Sequence, residues 1–591
     1  MRGQGTGPES RRPPQRGRTP ARAYTQRQRR AHRALAVGAL CLIAFVGGLV
    51  AGALHKPASQ AFAETFAAAW TRGDYAAMYS QLTPADRKTY SRRGFLKAYT
   101  DATRTATAEA LVAGRPRKEG DAYRVPVRVQ TRVFGAVRGT VELPVGDAGV
   151  DWSTTLVFPG LRKGEKLGRS TTLPPRAGLR ARDNTVLATG AARSSPLPGV
   201  AAEVVGQLGE IPPERADELE RLGVPSGAKV GVSGLERVFD DRLIGRPGGE
   251  LLAGRRVLKA APPKQAADIR TTISIGVEQA AAAALAGRLG GVVALNPRTG
   301  AVLAFAGIAF SGLQPPGSTF KIITATGALE AKLTSPSRTY PVLTKATLEG
   351  VDLENANGES CGGSLVNSFA ESCNSVFAPL GAQLGGKRLV DVAERFGFNR
   401  PSDIPGAAES TIPPAEEIGD DLALGSSAIG QGRVQATALQ MGIAAATIGL
   451  RGQRPRVTLD LATSLRGLRT TRATTPAVAR TMERLMRAVV QFGTGTSAAI
   501  PGVAVAGKTG TAELKTTKRC QPDPANIESC PPDQQASDPT DTDAWFAAYA
   551  PAGTGRPRTA VGVMLVGAGA GGDTAAPVAQ SVLRAALKAT G

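Results

Sequence analysis

Histidine is almost missing from this 591-residue chain: there are two, His32 and His55, and both lie before residue 56. A Ser-His-Asp enzyme needs an imidazole beside its nucleophile, so no such triad can be assembled from the rest of the chain. An activated serine there must take a lysine, a carboxylate or the N-terminus as its base. The same gap removes the commonest zinc ligand, and neither a catalytic metal nor a cofactor is expected. Cysteine is scarce, five in all, with no CxxC spacing, which argues against a zinc ribbon or a redox motif of that kind. Acidic residues are nearly absent from residues 1–33, which hold ten arginines against one acid, Glu9. With Pro, Gly and Gln between those charges the segment cannot build a core, so a disordered basic tail is expected.

Charge of either sign is missing from Ala34 to Leu54. That run would measure about 32 Å as a helix, enough to cross ~30 Å of hydrocarbon. The arginines before it place the N-terminus in the cytoplasm and everything after residue 55 outside. A cleaved signal peptide competes, because Ala61-Phe62-Ala63 resembles a cleavage site, but the apolar run is longer than such peptides use. We read an uncleaved, single-pass anchor. Positive-inside orientation accounts for the basic tail more simply than a nucleic-acid arm does, so no nucleic-acid partner is expected. In an oxidising compartment the close pairs Cys361 with Cys373 and Cys520 with Cys530 suit disulfides.

What is present divides in three after the anchor. In residues 57–165, Phe62, Phe66 and Trp70 recur every four residues along a helix ending near Gly73, and Asp74 caps a second. From about residue 122 the period becomes two: Val125, Val127 and Val129 alternate with Pro126, Arg128 and Gln130. Helices followed by strands indicate an α+β module. Residues 166–275 are rich in Gly, Pro and charge, with a hairpin turn expected at Asp183-Asn184, and read as an irregular pedestal or linker. Residues 276–591 open with a helix over Val277 to Leu289 and a hairpin, Val292 to Leu295 and Val302 to Phe305. They end with strand-like runs Val503 to Glu513, Trp545 to Ala550 and Val561 to Val566 before a closing helix. Two hairpin strands and three later runs imply an antiparallel five-stranded sheet flanked by helices. The fold class is thus α+β and multidomain.

Pro315-Pro316-Gly317-Ser318-Thr319-Phe320-Lys321 carries the chemistry. The prolines and glycine stop one element and start a helix, which puts Ser318 at its N-terminus. Lys321, three residues on, shares its face at roughly 5 to 6 Å between Cβ atoms. To act as a base the amine must be neutral, which means lowering a lysine from about 10.4 toward ~7 to 8, about 4 kcal/mol. Burial and a second cation can supply that. Further on, Ser372-Cys373-Asn374 sets a hydroxyl and an amide two residues apart in what reads as a helical stretch after the glycine-rich loop Gly358 to Gly363. Lys508-Thr509-Gly510-Thr511 gives a strand bearing a cation and hydroxyls. Two decoys fall away. Gly502 to Thr509 satisfies GxxxxGK[ST], yet Val503 to Ala506 alternates like a strand and no helix follows, so it is no phosphate cradle. Gly567, Gly569 and Gly572 fit GxGxxG but lead only into the closing helix.

In order, S-x-x-K, S-x-N and K-T-G match a known set, and the last domain resembles the penicillin-binding transpeptidases and serine β-lactamases. Gly493-Thr494-Gly495-Thr496 and Asp543-Ala544-Trp545-Phe546 look like that family's turn before the third motif and strand after it. The N-terminal module is similar to the NTF2-like domain of class B penicillin-binding proteins of the methicillin-resistance-associated type. The segment Lys515 to Thr542 departs from the pattern as an insert with its own cysteine pair. The resemblance implies that Ser318 is the nucleophile, Lys321 its base and Ser372 the proton relay. It implies that Asn374 and Thr509 hold the substrate amide and carboxylate, and that Lys508 adds positive potential beside Gly510. Backbone N–H groups of Ser318 and Thr511 would form the oxyanion hole. It further implies D-Ala-D-Ala stem peptides as substrate, β-lactams as inhibitors, and a multi-span membrane glycan polymerase as partner, since no glycosyltransferase module precedes the pedestal. A serine β-lactamase or D,D-carboxypeptidase, a β-lactam sensor and a silent scaffold remain as alternatives. The first lacks a Glu-x-x-Leu-Asn motif, and the sensor lacks a cytoplasmic effector domain.

Overall fold

The computed structural model describes residues 56–513, 518–520, 535–537 and 542–590. The basic tail, the anchor expected at residues 34–54 and most of the expected insert lie outside the described residues. Among the described residues no helix is long and apolar enough to cross a membrane. The chain forms two compact units, one running to Leu167 without Arg132–Gly135, the other made of those four residues and everything from Gly168 on.

The first unit begins with helices α1 (Ala58–Thr71), α2 (Tyr75–Ser80), α3 (Pro84–Thr89) and α4 (Arg92–Thr105). Each of the last three starts on a side-chain cap: Asp74 accepts from Ala77, Thr83 from Asp86 and Ser91 from Gly94, satisfying N–H groups a helix start leaves open. Strands β1 (Ala108–Ala113), β2 (Arg117–Glu119), β3 (Ala122–Thr131), β4 (Gly135–Gly146) and β5 (Gly149–Val150) follow, ordered β1-β3-β4-β5 with β2 beside β3. In β3 the even-odd pattern sorts as expected, with Val125, Val127 and Val129 buried and Arg124, Pro126 and Arg128 exposed. Phe66, Trp70, Phe95, Tyr99 and Trp152 fill the space between, and the Trp152 indole N–H donates to the Tyr99 hydroxyl at 3.2 Å.

The second unit opens with the segment expected to be irregular. Leu179–Arg180 (β6) and Val186–Ala188 (β7) form the expected hairpin, with Asn184 at φ +76°, and Ile269–Arg270 (β8) joins parallel to β6. A group of buried charges lies beneath it. Glu236 and Asp240 are 0% and 1% exposed. Arg176 bridges them at 2.6 and 2.7 Å, Arg193 donates to Glu236 at 2.6 Å and Arg215 to Asp240 at 2.7 Å. Buried carboxylates are tolerable only when matched this way.

Helix α5 (Ile275–Leu285) leads into the larger sheet, built from β9 (Gly290–Asn296) and β10 (Ala301–Gly307). Then come α6 (Lys321–Glu330) and a four-strand arm: β11 (Thr339–Leu343), β12 (Lys345–Leu348), β13 (Val351–Glu354) and β14 (Cys361–Ser364). Helices α7 (Leu365–Ala370), α8 (Asn374–Leu384), α9 (Ala438–Gly449) and α10 (Pro476–Gln491) precede β15 (Ala506–Glu513), β16 (Thr542–Ala550), β17 (Thr559–Leu565) and α11 (Ala575–Ala589). The sheet is antiparallel throughout, ordered β10-β9-β17-β16-β15. Alternate residues sort to its two faces: Val292, Phe546 and Val563 pack with α5 and α11, while Val293, Trp545 and Met564 pack toward α6 to α10. Helix α9 lies so close that a Cβ at Gly562 would sit 2.0 Å from the Ala438 carbonyl oxygen. The arm was not expected: its short strands include part of the glycine-rich stretch that reads as loop.

Candidate active site

Ser318 stands in the one-turn 3-10 helix Gly317–Phe320, which runs straight into α6. Lys321 opens α6, and its Nζ lies 2.9 Å from Ser318 Oγ. The turn is pinned against the sheet at Gly317, where φ is +51° and a Cβ would meet the Thr511 carbonyl oxygen at 2.5 Å. Only glycine fits there.

Ser372 departs from the helical expectation. Helix α7 ends at Ala370, α8 begins at Asn374, and Ser372 between them is left-handed at φ +65°. Such a conformation costs a non-glycine residue on the order of 1–3 kcal/mol. Its neighbours hold it: Ser372 N–H donates to Phe369 O and Cys373 N–H to Ser368 O, closing the end of α7. The turn aims two Ser372 oxygens at the lysines. Lys321 Nζ is 2.6 Å from Ser372 O, 3.4 Å from Ser372 Oγ and 2.7 Å from Asn374 Oδ1. Asn374 is oriented by its Nδ2, which donates to Glu354 O on β13.

Lys508 projects from β15, the edge strand facing the cleft, and its Nζ lies 2.8 Å from Ser372 Oγ and 3.1 Å from Thr509 O. Ser372 therefore bridges the two amines. Gly510 follows opposite Trp545, and Thr511 Oγ1 accepts from Gly571 N–H. Lys508 and Thr509 stand mid-strand, so the GxxxxGK[ST] stretch is no phosphate loop. One participant is absent from the sequence expectations for the site: Thr494, whose Oγ1 is 2.6 Å from Thr509 Oγ1 and donates to Ala370 O. Its signal was a hydroxyl inside the glycine turn just ahead of the third motif. Cys361 and Cys373 are joined by a disulfide, while Cys530 lies outside the described residues.

Both lysines are fully buried, and among the described residues neither is paired with a carboxylate. Their nitrogens lie 5.6 Å from the ring centres of Phe377 and Phe369. Burial pushes Lys508 down to about 7, and burial with repulsion from Lys508 holds Lys321 well below the ordinary lysine value. Both causes favour the neutral amine at Lys321. As an ammonium it donates to all three near oxygens; as an amine it has two N–H groups and one lone pair. The carbonyl oxygens of Ser372 and Asn374 can only accept, so they take the two N–H groups. The lone pair is left for the Ser318 hydroxyl proton. The arrangement can activate a serine without imidazole.

A buried amine pair set between a helix start and a sheet edge defines a class of serine enzyme, and comparison with known proteins says which. Residues 290–584 match the penicillin binding protein transpeptidase domain, residues 174–258 the penicillin-binding protein dimerisation domain, and residues 58–165 the NTF2-like N-terminal transpeptidase domain. The chain is 35% identical over 428 residues to the peptidoglycan D,D-transpeptidase PbpA of Mycolicibacterium smegmatis, covering 60% of this chain and 80% of that protein. It is 32% identical over 411 residues to PbpA of Mycobacterium tuberculosis, covering 59% and 77%. Among solved structures, penicillin-binding protein A from M. tuberculosis as a penicillin G acyl-enzyme complex superposes with a TM-score of 0.53 at 27% identity, covering 70% of this chain and 99% of that one. The chain belongs to the class B penicillin-binding proteins.

Proposed function

We propose that this chain is a peptidoglycan D,D-transpeptidase that cross-links D-Ala-D-Ala stem peptides through an acyl-enzyme on Ser318. Neutral Lys321 takes the Ser318 proton as Oγ attacks the penultimate carbonyl. Backbone N–H groups of Ser318 and Thr511 receive the developing oxyanion; losing one such donor typically costs ~3 to 4 kcal/mol. Ser372, between the two amines, carries the proton to the departing D-Ala nitrogen. Thr509, supported by Thr494 and Lys508, holds the terminal carboxylate, and that anion in turn favours the charged form of Lys508. An amine from a neighbouring stem peptide then attacks the ester, and the same relay returns the proton. The anchor at residues 34–54 sets this chemistry outside the cell membrane, and glycan strands come from a separate membrane polymerase.

One observation carries the reading: a fully buried Lys321 nitrogen, unpaired with any carboxylate among the described residues, 2.9 Å from Ser318 Oγ. The test is intact mass after benzylpenicillin, followed over hours. A lasting single adduct, absent in Ser318→Ala, is expected. A rapidly lost adduct indicates a β-lactamase, no adduct a scaffold, and an adduct on Ser318→Ala overturns the assignment.

A further inference from the structure

The bond between Cys361 and Cys373 is placed where the transpeptidase reading does not require one. Cys373 is the residue between Ser372 and Asn374, and Cys361 starts β14, opposite Leu343 of β11. The turn that presents Ser372 and Asn374 is therefore tied covalently to the arm. The other ties on that side are hydrogen bonds: Asn374 Nδ2 donates to Glu354 O, and Ser375 N–H donates to Asn355 Oδ1. Asn355 is itself held by the arm, donating to Leu343 O and Glu359 O. A left-handed serine without glycine's freedom returns to other conformations unless its neighbours prevent it. Here the constraint comes from both sides, α7 through the backbone and the arm through sulfur.

We propose that the Cys361–Cys373 disulfide is a positioning element for Ser372 and Asn374, so that acylation of Ser318 depends on the redox state of this pair. The inference rests on the transpeptidase reading above. Cys361 is 9% exposed and Cys373 fully buried, which directs an attacking thiolate to the Cys361 sulfur. The step balances with a dithiol as reductant. One of its thiolates attacks Cys361 Sγ, the sulfur–sulfur bond breaks and Cys373 leaves as a thiolate that takes up a proton. The second thiol then closes the reductant's own disulfide and frees Cys361 as a thiol, so two electrons and two protons pass to the pair. With the turn released, Ser372 O and Asn374 Oδ1 no longer fix the two N–H groups of Lys321, and water reaches the amines. Hydration restores lysine basicity, so the acidic limb of the rate profile moves to higher pH.

The experiment uses the full chain in detergent with Cys520→Ser and Cys530→Ser, leaving one pair to titrate. Acylation by a fluorescent penicillin is measured from pH 5 to 9 before and after dithiothreitol, with differential alkylation of Cys361 and Cys373 reporting reduction and circular dichroism reporting folding. The expected result is a rate constant at least about tenfold lower at pH 7 in the reduced, folded chain, with its acidic limb at higher pH. Cys361→Ser/Cys373→Ser should match the reduced chain and ignore dithiothreitol. Equal rates and an unmoved limb in the two redox forms overturn the inference. So does loss of the folded signal on reduction, because the bond would then be a global staple rather than a local positioner. If the oxidised chain is not acylated at all, it is the functional reading that fails.

Discussion

Replacing Lys508 by methionine keeps the length of the side chain and removes its charge, which isolates what that charge does to Lys321. Ser372 Oγ lies 2.8 Å from Lys508 Nζ and 3.4 Å from Lys321 Nζ, so the two nitrogens are no more than about 6 Å apart. One unit charge at that separation, in an effective dielectric near 20, contributes about 3 kcal/mol of repulsion. Its removal makes protonation of Lys321 easier by up to roughly 100-fold. Lys508 carries its charge only below about 7, so the effect has a pH window. Lys508→Met should lose the most acylation rate at pH 6, and its deficit should shrink above pH ~8 to the part owed to carboxylate binding. Lys508→Arg keeps the charge at every pH and should keep the wild-type acidic limb whatever its overall rate. The assay is the second-order rate of fluorescent penicillin uptake across pH. A deficit in Lys508→Met that is the same at all pH values refutes the coupling and leaves Lys508 with substrate binding alone.

Three other outcomes follow from the geometry. Thr494→Val removes the partner 2.6 Å from Thr509 Oγ1; a hydrogen bond of about 1 kcal/mol predicts a roughly fivefold weaker acylation rate with an unchanged melting temperature, since Thr494 is exposed. Glu236→Ala leaves Arg176 and Arg193 without their buried carboxylate and should cost about 3–5 kcal/mol in urea unfolding; a loss below about 1 kcal/mol would show that water repairs the gap. Glu278 is buried, accepts from Phe305 N–H at 2.8 Å through one oxygen and leaves the other without a partner among the described residues. Burial raises it to about 8. Its folded value is raised, so its contribution is complete below about 4.5 and lost as pH climbs through 8. Glu278→Gln, which keeps the acceptor, should therefore gain up to about 5 kcal/mol over wild type at pH 8.5 and little at pH 4.5; equal gains at both would show that the carboxyl does not titrate there.

Local pattern made some of this legible in advance. Strict alternation in β3, the turn at Asp183-Asn184 and the proline-glycine break before Ser318 are decided by a few adjacent residues, and the structure follows them. Lys321 was legible from an absence, because a chain with no histidine after His55 leaves few bases for a serine. What sequence could not give is set by contacts between distant segments. Arg176 and Glu236 are 60 positions apart, and nothing in either neighbourhood announces a buried pair. Ser372 reads as helical because serine has no strong preference for the left-handed region; its turn exists because α7 ends one residue before Glu371 and both lysines need its oxygens. The arm escaped because its strands are four or five residues long and one is built on glycines.

The same contrast explains why the site is made of amines and hydroxyls instead of a matched ion pair. A carboxylate beside Lys321 would stabilise its ammonium and keep the lone pair occupied, so the cleft must bury this nitrogen without offering an anion. That is costly, and the chain spreads the cost over elements fixed for other reasons: Phe369 and Phe377 wall the nitrogens off from water, the edge strand holds a second cation, and neutral carbonyls take the two N–H groups. Burial and the second cation raise the energy of the charged form of Lys321, while the carbonyls that take its two N–H groups hold the neutral amine with its lone pair toward Ser318. A variant that puts a carboxylate within reach of Lys321, such as Asn374→Asp, should for that reason lose acylation at neutral pH while melting no lower than the parent. If Asn374→Asp keeps its rate at pH 7, the lone pair is not what activates Ser318.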